Sequence, residues 1–283
     1  MAEQLDLLKT LSFVQDVARR AGEGLREAYY QPRQIDFKGE VNLVTQADIA
    51  SEKMIVGALQ EAYPGFAFLA EEGGEILGEN GYRWLVDPLD GTNNFAHAYP
   101  VFAVSIALYE NTEPLIGVIY DPLRDECFSA AKGHGATLNG QPMHVSQIPD
   151  LKRGLMATGF PYDRQVNSDN NTTAVDVFLR RAQGLRRAGA AALDLAYVAA
   201  GRLDGYWEKS LGAWDLAAGI LLVREAGGMV TPYRADAPVE SLLRGESVVA
   251  TNGLIHGEVL DVLASVYDYT ADGGFHLRPP ATN

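Results

Sequence analysis

The sequence predicts an α/β protein of the α+β layered kind, and three observations lead there. A helical stripe opens the chain, a run of alternating strand candidates follows, and from about residue 149 strands and helices take turns. With 283 residues and 47% hydrophobic content, the chain can bury a large core as one domain or two closely packed halves.

Charge and cysteine usage narrow the classes. A net charge of −14 with no Lys/Arg-rich run argues against a nucleic-acid grip, since nothing displaces phosphate counterions. The same acidity repels a phosphate ester unless bound cations invert the local sign. A lone cysteine, Cys127, excludes a disulfide framework and any thiolate metal cluster and fits a reducing compartment. With no signal-peptide pattern and no run of 18 apolar residues, a cytoplasmic protein without a membrane span is expected.

Taking the elements in order, Leu7, Leu11, Val14, Ala18, Ala21, Leu25 and Ala28 recur at steps of four and three, predicting a helix over 5–29 ended by Pro32. Lys38, Gly39, Glu40 and Asn42 read as a polar loop before Leu43. Thr45 followed by Asp48 has the capping-box pattern, and Met54, Ile55, Ala58, Leu59 and Ala62 carry a second helix to Pro64. Phe66 to Ala70 is a strand candidate running into Glu71 and Glu72, the second of which is expected to be solvated. The acidic, glycine-rich 73–81 is expected to be a mobile, flap-like loop. Alternation in 103–109 and 115–120 predicts strands across a polar turn, and Gly133, Gly135 and Asn139-Gly140 mark further hairpin turns.

Beyond Pro149-Asp150 the expected order is strand 154–158, helix 170–183, strand 184–188, helix 190–200, strand 203–208, helix 214–225, strands 228–231 and 246–250, and helix 256–268. The expected division is 1–148, 149–269 and a loosely held tail at 270–283 containing Gly273, Gly274, Pro279 and Pro280.

The chain is organised around Arg83 to Phe95. Trp84-Leu85-Val86 reads as a buried strand that stops at Asp87, because Pro88 cannot donate to a ladder. Gly91 permits a tight turn, and Thr92 or Asn93 can cap a short helix whose first N–H groups have no internal partner. Asp87 and Asp90 facing such groups make a place where a divalent cation and a phosphate can meet. A plain Asp-Pro break and Asp-Gly turn is the competing reading. The company tells against it: Glu71 ends another strand candidate, and Trp214-Asp215 opens an apolar helix.

These motifs, in this order, resemble the inositol monophosphatase family of lithium-sensitive, magnesium-dependent phosphatases. The resemblance covers Leu43-Val44-Thr45 with Asp48, Glu71-Glu72, Trp84 to Phe95, Gly189 to Glu208, and Trp214 through Gly228. Ala191 to Arg202 looks most like the bacterial branch. It implies alternating α-β-α-β-α layers, the sugar-phosphatase fold, and a homodimer. It also implies two to three Mg²⁺ ions, with Glu71, Asp87 and the Leu89 carbonyl on the first and Asp87, Asp90 and Asp215 on the second. Asp48 and Thr92 would polarise the attacking water together with Glu71. Gly91 and Thr92 would bind phosphate, while Gly189, Ala190, Ala191 and Glu208 would line the sugar side. Oxygen-only ligands suit a hard ion such as magnesium.

Each role has a structural competitor. Asp48 at a helix's third position needs no catalytic duty, Asp215 can be a helix N-cap, and Glu208 can be an exposed strand-end acid. Departures from the family pattern are Asn93 in place of a second threonine, a spacing from Lys38 to Asp48 shorter by one, and Ala190 in place of threonine or serine. The last confines substrate contacts there to the backbone. A cysteine-phosphatase loop fails because Gly133 stands where Arg is required after Cys127, and a covalent aspartyl-phosphate motif fails because Asp87 and Asp90 are three apart. His97, His134, His144, His256 and His276 have no metal spacing. The function expected is hydrolysis of inositol monophosphate or a similar small polyol phosphate. Fructose 1,6-bisphosphate and histidinol phosphate are alternative esters, and a non-catalytic regulatory binder is the alternative class. Residues 159–164 and those near Glu208 are expected to set selectivity.

Overall fold

The computed structural model describes residues 5–31, 35–37, 43–234, 237, 240–269 and 275–278. Pro32, the loop at 38–42 including Lys38, and Gly273, Gly274, Pro279 and Pro280 lie outside the described residues, as does the side chain of Thr45. Up to Met143 the order is α1 (Leu7–Tyr29), β1 (Ile35–Phe37), β2 (Leu43–Thr45), α2 (Gln46–Ala62), β3 (Ala67–Ala70), β4 (Gly74–Ile76), β5 (Tyr82–Asp90), α3 (Thr92–Ala96), β6 (Ala103–Glu110), β7 (Glu113–Asp121), β8 (Glu126–Ala131), β9 (Ala136–Leu138) and β10 (Gln141–Met143). Then come β11 (Leu155–Thr158), α4 (Thr172–Arg181), β12 (Gly184–Arg186), α5 (Ala191–Ala199), β13 (Gly205–Lys209), α6 (Ala213–Glu225), β14 (Met229–Thr231), α7 (Glu240–Leu243), β15 (Ser247–Thr251), α8 (His256–Val266), β16 (Tyr267–Tyr269) and β17 (Phe275–Leu277).

Two sheets organise these elements. One has eight strands in the order β10-β9-β8-β7-β6-β5-β3-β4, antiparallel except where β3 runs parallel to β5. The other has five, β12-β11-β13-β15-β14, with β11 parallel to both its neighbours. Side-chain alternation assigns each face. On β6, Val104, Ile106 and Leu108 pack with the residues of α1 and α2, whereas Ala103, Ala107 and Tyr109 pack with those of α5 and α6. On β13 and β15, Tyr206, Val248 and Ala250 face that same inner core, while Trp207 and Val249 face the cluster built by α4 and α8. The result is five layers, α-β-α-β-α. Both sheets are buried on two faces, which explains why β6 and β7 read as nearly continuous apolar runs.

Local chemistry sets the ends. The α1 stripe starts where the Asp6 carboxylate accepts from the Lys9 N–H at 3.0 Å. β5 does not stop at Asp87 as expected but continues to Asp90. Its pairing with β6 shifts register between those two acids, so Pro88 sits in the irregularity where its missing N–H costs nothing. Neither Thr92 nor Asn93 caps α3; the cap residue is Gly91, left-handed at φ 93° and without a side-chain bond. The 73–81 segment is not all loop, because Gly74–Ile76 pairs with Phe68–Ala70. Helix α8 ends at Val266, two residues early, and Tyr267–Tyr269 turns into a strand paired with Phe275–Leu277, an element not anticipated in the tail.

The inner layer touches the large sheet at a glycine. A Cβ on Gly117 of β7 would sit 2.7 Å from the Ala218 carbonyl oxygen of α6, which is backbone and cannot swing aside. Gly117→Ala is expected to cost roughly 1–3 kcal/mol by prying α6 off the sheet. A urea melt reads this as a lower midpoint with unchanged slope, and an unmoved midpoint would contradict the close packing.

Candidate functional site

Because β3 and β5 are parallel, with Ala70 opposite Val86, the residues leaving their carboxyl ends emerge side by side. The Glu71 N–H donates to the Val86 carbonyl at 3.2 Å, and Glu71 and Asp87 line one cavity. Asp90 enters from the end of β5 and Asp215 from the first turn of α6. Oxygens of Asp87, Asp90 and Asp215 lie within 4.8 Å of one another. Asp87 and Asp90 are buried, at 1% and 8% exposure, and Asp215 is half-buried.

Each acid is held by backbone amides. Leu89 N–H donates to Asp87 Oδ1 at 2.9 Å, Ala191 and Ala192 N–H donate to the two oxygens of Asp90 at 3.2 and 2.7 Å, and Gly212 N–H donates to Asp215 Oδ2 at 2.8 Å. Asp215 is thus not the N-cap of α6 but lies three residues beyond it, bonded back to the cap's own N–H. These bonds orient the carboxylates without neutralising them. Burial, then Glu71, Asp90 and Asp215, pushes Asp87 well above the usual carboxylate range. Burial and Asp215 raise Asp90 to about 8, and desolvation and Glu71 raise Asp215 to about 7. The main influences on these three acids are burial and one another, although Arg164 and Arg187 line the same cavity.

The donor set is all oxygen: the three aspartates, Glu71, and the Leu89 carbonyl in the same cavity. Buried, clustered carboxylates fit a hard divalent cation, which would offset the burial and repulsion that raise the aspartates' affinity for protons. Beside them the Thr92 hydroxyl lies 3.0 Å from Asp48 Oδ1 and 3.1 Å from the Leu89 carbonyl. Asp48, fully buried in the first turn of α2, reaches the site through Thr92. Ser51 Oγ of the same helix donates to the Pro88 carbonyl at 2.9 Å, tying α2 to the irregular end of β5. A Cβ on Gly91 would meet the Val101 carbonyl at 2.9 Å, so only glycine suits that turn.

Across the cavity stand Gly189, Ala190, Ala191 and Glu208. Glu208 is not an exposed strand-end acid: it is 7% exposed, and the Tyr206 hydroxyl donates to its Oε2. Burial raises it to about 7 against the pull of Tyr206 and Arg187. Glu72, expected to be solvated, is half-buried, with its N–H on Glu52 Oε2 at 2.9 Å. The cavity therefore brings together Glu71, Asp87, Leu89, Asp90, Gly91, Thr92, Gly189, Ala190, Ala191, Glu208 and Asp215, with Asp48 behind Thr92. Phe160, Tyr162 and Arg164 of the expected selectivity segment also line it.

Sequence reasoning missed Asn94, Arg187 and Asp194. The Asn94 amide donates to the Val101, Ala188 and Gly189 carbonyls at 2.8, 2.9 and 3.3 Å, stitching the α3 turn to the approach of α5. Its partners are too distant in sequence to foresee. Asp194 did leave a signal, as the lone acid in the otherwise uncharged helix Ala191–Ala199.

A layered α/β fold with a cluster of acids able to hold a cation at adjoining strand ends defines the class. Residues 6–267 match the inositol monophosphatase family. The chain is 45% identical over 262 residues to an inositol-1-monophosphatase of Synechocystis sp., covering 92% of this chain and 90% of that protein. It is 48% identical over 204 residues to the Nus factor SuhB of Pseudomonas aeruginosa, covering 70% and 75%. The solved inositol monophosphatase of Anabaena (Nostoc) sp. superposes with a TM-score of 0.84 at 41% identity, covering 92% of this chain and 97% of that one. The chain belongs to the inositol monophosphatase family, a family of phosphatases.

The raised carboxyls have a consequence for stability. Asp90 and Asp215 bind protons more tightly folded, at about 8 and about 7, than an unfolded aspartate does at roughly 3.9. Their contribution is complete below the unfolded value of roughly 3.9, declines as pH rises from there, and is gone once pH has passed about 7 for Asp215 and about 8 for Asp90. Without divalent cation, the melting temperature is expected to fall between about pH 6 and pH 8, and the gain on adding Mg²⁺ to grow over that interval. Asp215→Asn, whose amide oxygen can keep the Gly212 bond, should flatten the fall and shrink the gain. A cation effect independent of pH and of this substitution would refute the assignment.

Proposed function

We propose that the protein is a Mg²⁺-dependent phosphomonoesterase acting on inositol monophosphate or a similar small polyol phosphate. One observation carries the reading: Asp87, Asp90 and Asp215 converge within 4.8 Å, next to a Thr92 hydroxyl that is bonded to buried Asp48. Glu71, Asp87 and the Leu89 carbonyl would hold one ion, and Asp87, Asp90 and Asp215 a second, with room for two to three in all. Bound there, Mg²⁺ supplies positive charge that offsets the phosphoryl oxygens and the charge developing on the leaving oxygen.

The chain's own groups handle the water. The Thr92 hydroxyl has a single proton, and an ionised Asp48 is a stronger acceptor for it than the neutral Leu89 carbonyl. With that proton turned toward Asp48, Thr92 Oγ1 can accept from a water, and Glu71 is the second acceptor that aims it. As the water attacks phosphorus and the bond from phosphorus to the ester oxygen breaks, the water's proton would pass to Thr92 while the threonine proton moves to Asp48, and the released alkoxide would take a proton from solvent. The N–H groups of Gly91 and Thr92 at the start of α3 would cradle the phosphate. At the other end Glu208, with Oε2 taken by Tyr206, would accept a ring hydroxyl through its remaining oxygen. Gly189, Ala190 and Ala191 would wall that side.

A second reading, a regulatory protein that meets a basic partner through its acidic surface, is favoured by the 48% identity to a protein named Nus factor SuhB. Phosphate release from inositol 1-phosphate, fructose 1,6-bisphosphate and histidinol phosphate, with and without Mg²⁺, separates the two and ranks the esters. The expected result is Mg²⁺-dependent release, fastest with the inositol ester and inhibited by Li⁺. Asp90→Asn should reduce kcat/KM by roughly three orders of magnitude and Thr92→Ala by roughly two. Undiminished release in Asp90→Asn, or no release from any ester, would remove the hydrolase reading. The same proposal carries a cytoplasmic homodimer, and sedimentation at twice the 30.7 kDa chain mass is the matching expectation.

A further inference from the structure

At the polyol end of the cavity part of the backbone is already engaged. The Ala191 N–H belongs to Asp90, and the Ala190 carbonyl accepts from the Asp194 N–H at 3.0 Å. Alanine at 190 brings no hydroxyl. Side chains therefore gain weight in recognising whatever lies there. Glu208 has one oxygen bound by Tyr206, and a Cβ at Gly159 would fall about 2 Å from its carboxylate, so the acid occupies space that only glycine at 159 leaves open.

Asp194 stands next to it in a different condition. It is 3% exposed, it lines the cavity, and among the described residues no N–H or O–H donates to its carboxylate. A buried carboxyl without a partner is costly, and such groups in folded proteins have an outstanding partner to find. Its surroundings agree: Glu208 and Asp90 are near enough for their charges to raise it further above its already desolvated value, and exposed Arg187 pulls the other way. Arg187 in turn lies over the Phe160 ring with its guanidinium carbon 5.7 Å from the centroid, at the rim.

We propose that Asp194 is a specificity-determining residue that binds a ring hydroxyl of the substrate, so that Asp194 and Glu208 together select polyhydroxylated ring esters over esters lacking hydroxyls at that end. This rests on the phosphatase reading above. The hydroxyl completes the hydrogen bonding of a carboxyl that the protein leaves unmet, and an ester without it leaves that group stranded. Rejection is consequently built into the site as much as attraction.

The test uses the full chain with Mg²⁺ and two esters, inositol 1-phosphate and phenyl phosphate, the second having no hydroxyl to offer. Asp194→Leu keeps the branched shape at a larger volume and removes every polar side-chain atom; Asp194→Ala serves if the leucine variant does not fold, as judged by its melting curve. Either is expected to lower the preference for the inositol ester, the ratio of the two kcat/KM values, roughly tenfold, mostly through KM for that ester. A purely structural role would move both esters together and leave the ratio where it was; that outcome overturns the proposal. If the wild-type chain releases phosphate from neither ester, the phosphatase reading falls and this inference with it. If wild type cleaves both and the ratio is unmoved in the variants, the inference alone is lost.

Discussion

Like charge held together is the constraint on which this structure turns. Asp87, Asp90 and Asp215 come from two elements far apart in sequence, and bringing their oxygens within 4.8 Å opposes folding rather than driving it. The fold must supply the difference elsewhere. It does so with two sheets buried on both faces and with amides that fix each acid: one to Asp87, two to Asp90 and one to Asp215. Those bonds select one orientation per carboxylate. They leave the group short of positive charge, a shortage that belongs to the site and not to the packing.

The layering explains the location. Helices α5 and α6 form the middle layer, and both begin at the end of the sheets where β3 and β5 finish. A helix start presents N–H groups that lack internal partners, and here the first N–H groups of α5 are spent on Asp90. The irregular end of β5 matters as much. A regular strand would alternate its acids to opposite faces; the register shift around Pro88 lets Asp87 and Asp90 enter the same cavity. The proline that looks like a strand terminator in the sequence is thus a device for re-aiming the chain.

Much of this was legible in one dimension. The α1 stripe, the hairpin strands and the alternation after residue 149 follow from periodicity, and the five layers followed from the resemblance. Asp87 and Asp90 were readable because they sit beside a glycine turn, and Glu71 because it ends a strand. What could not be read depends on distance or register. Nothing local says that β5 tolerates Pro88, since the irregularity exists only in its pairing with β6. Glu208 was placed on the sugar side by the resemblance alone, because the contacts that bury it come from Gly159 and Tyr206, the first nearly fifty residues away. Asn94 bonds to carbonyls at 188 and 189, and no pattern around it points there. The β16–β17 pair was missed because its second strand lies in a stretch that composition marks as tail.

Helix α5 joins the two ends of the cavity. Its first amides hold Asp90, and Asp194, one turn further on, faces the polyol end near Glu208. A helical turn is stiff, so a change of charge that draws on Asp90 is felt through the same short segment that presents Asp194. Packing reinforces this. Ala192, Leu193, Leu195 and Ala196 have no exposure, and a Cβ on Gly219 of α6 would meet Leu195 at 2.5 Å, leaving α5 no freedom to slide. On the proposed reading, affinity at the phosphate end and discrimination at the hydroxyl end would for that reason be set by one rigid body. Its alanine-rich sequence is what permits a helix to sit between two sheets, and a solitary aspartate there is chemically conspicuous for the same reason.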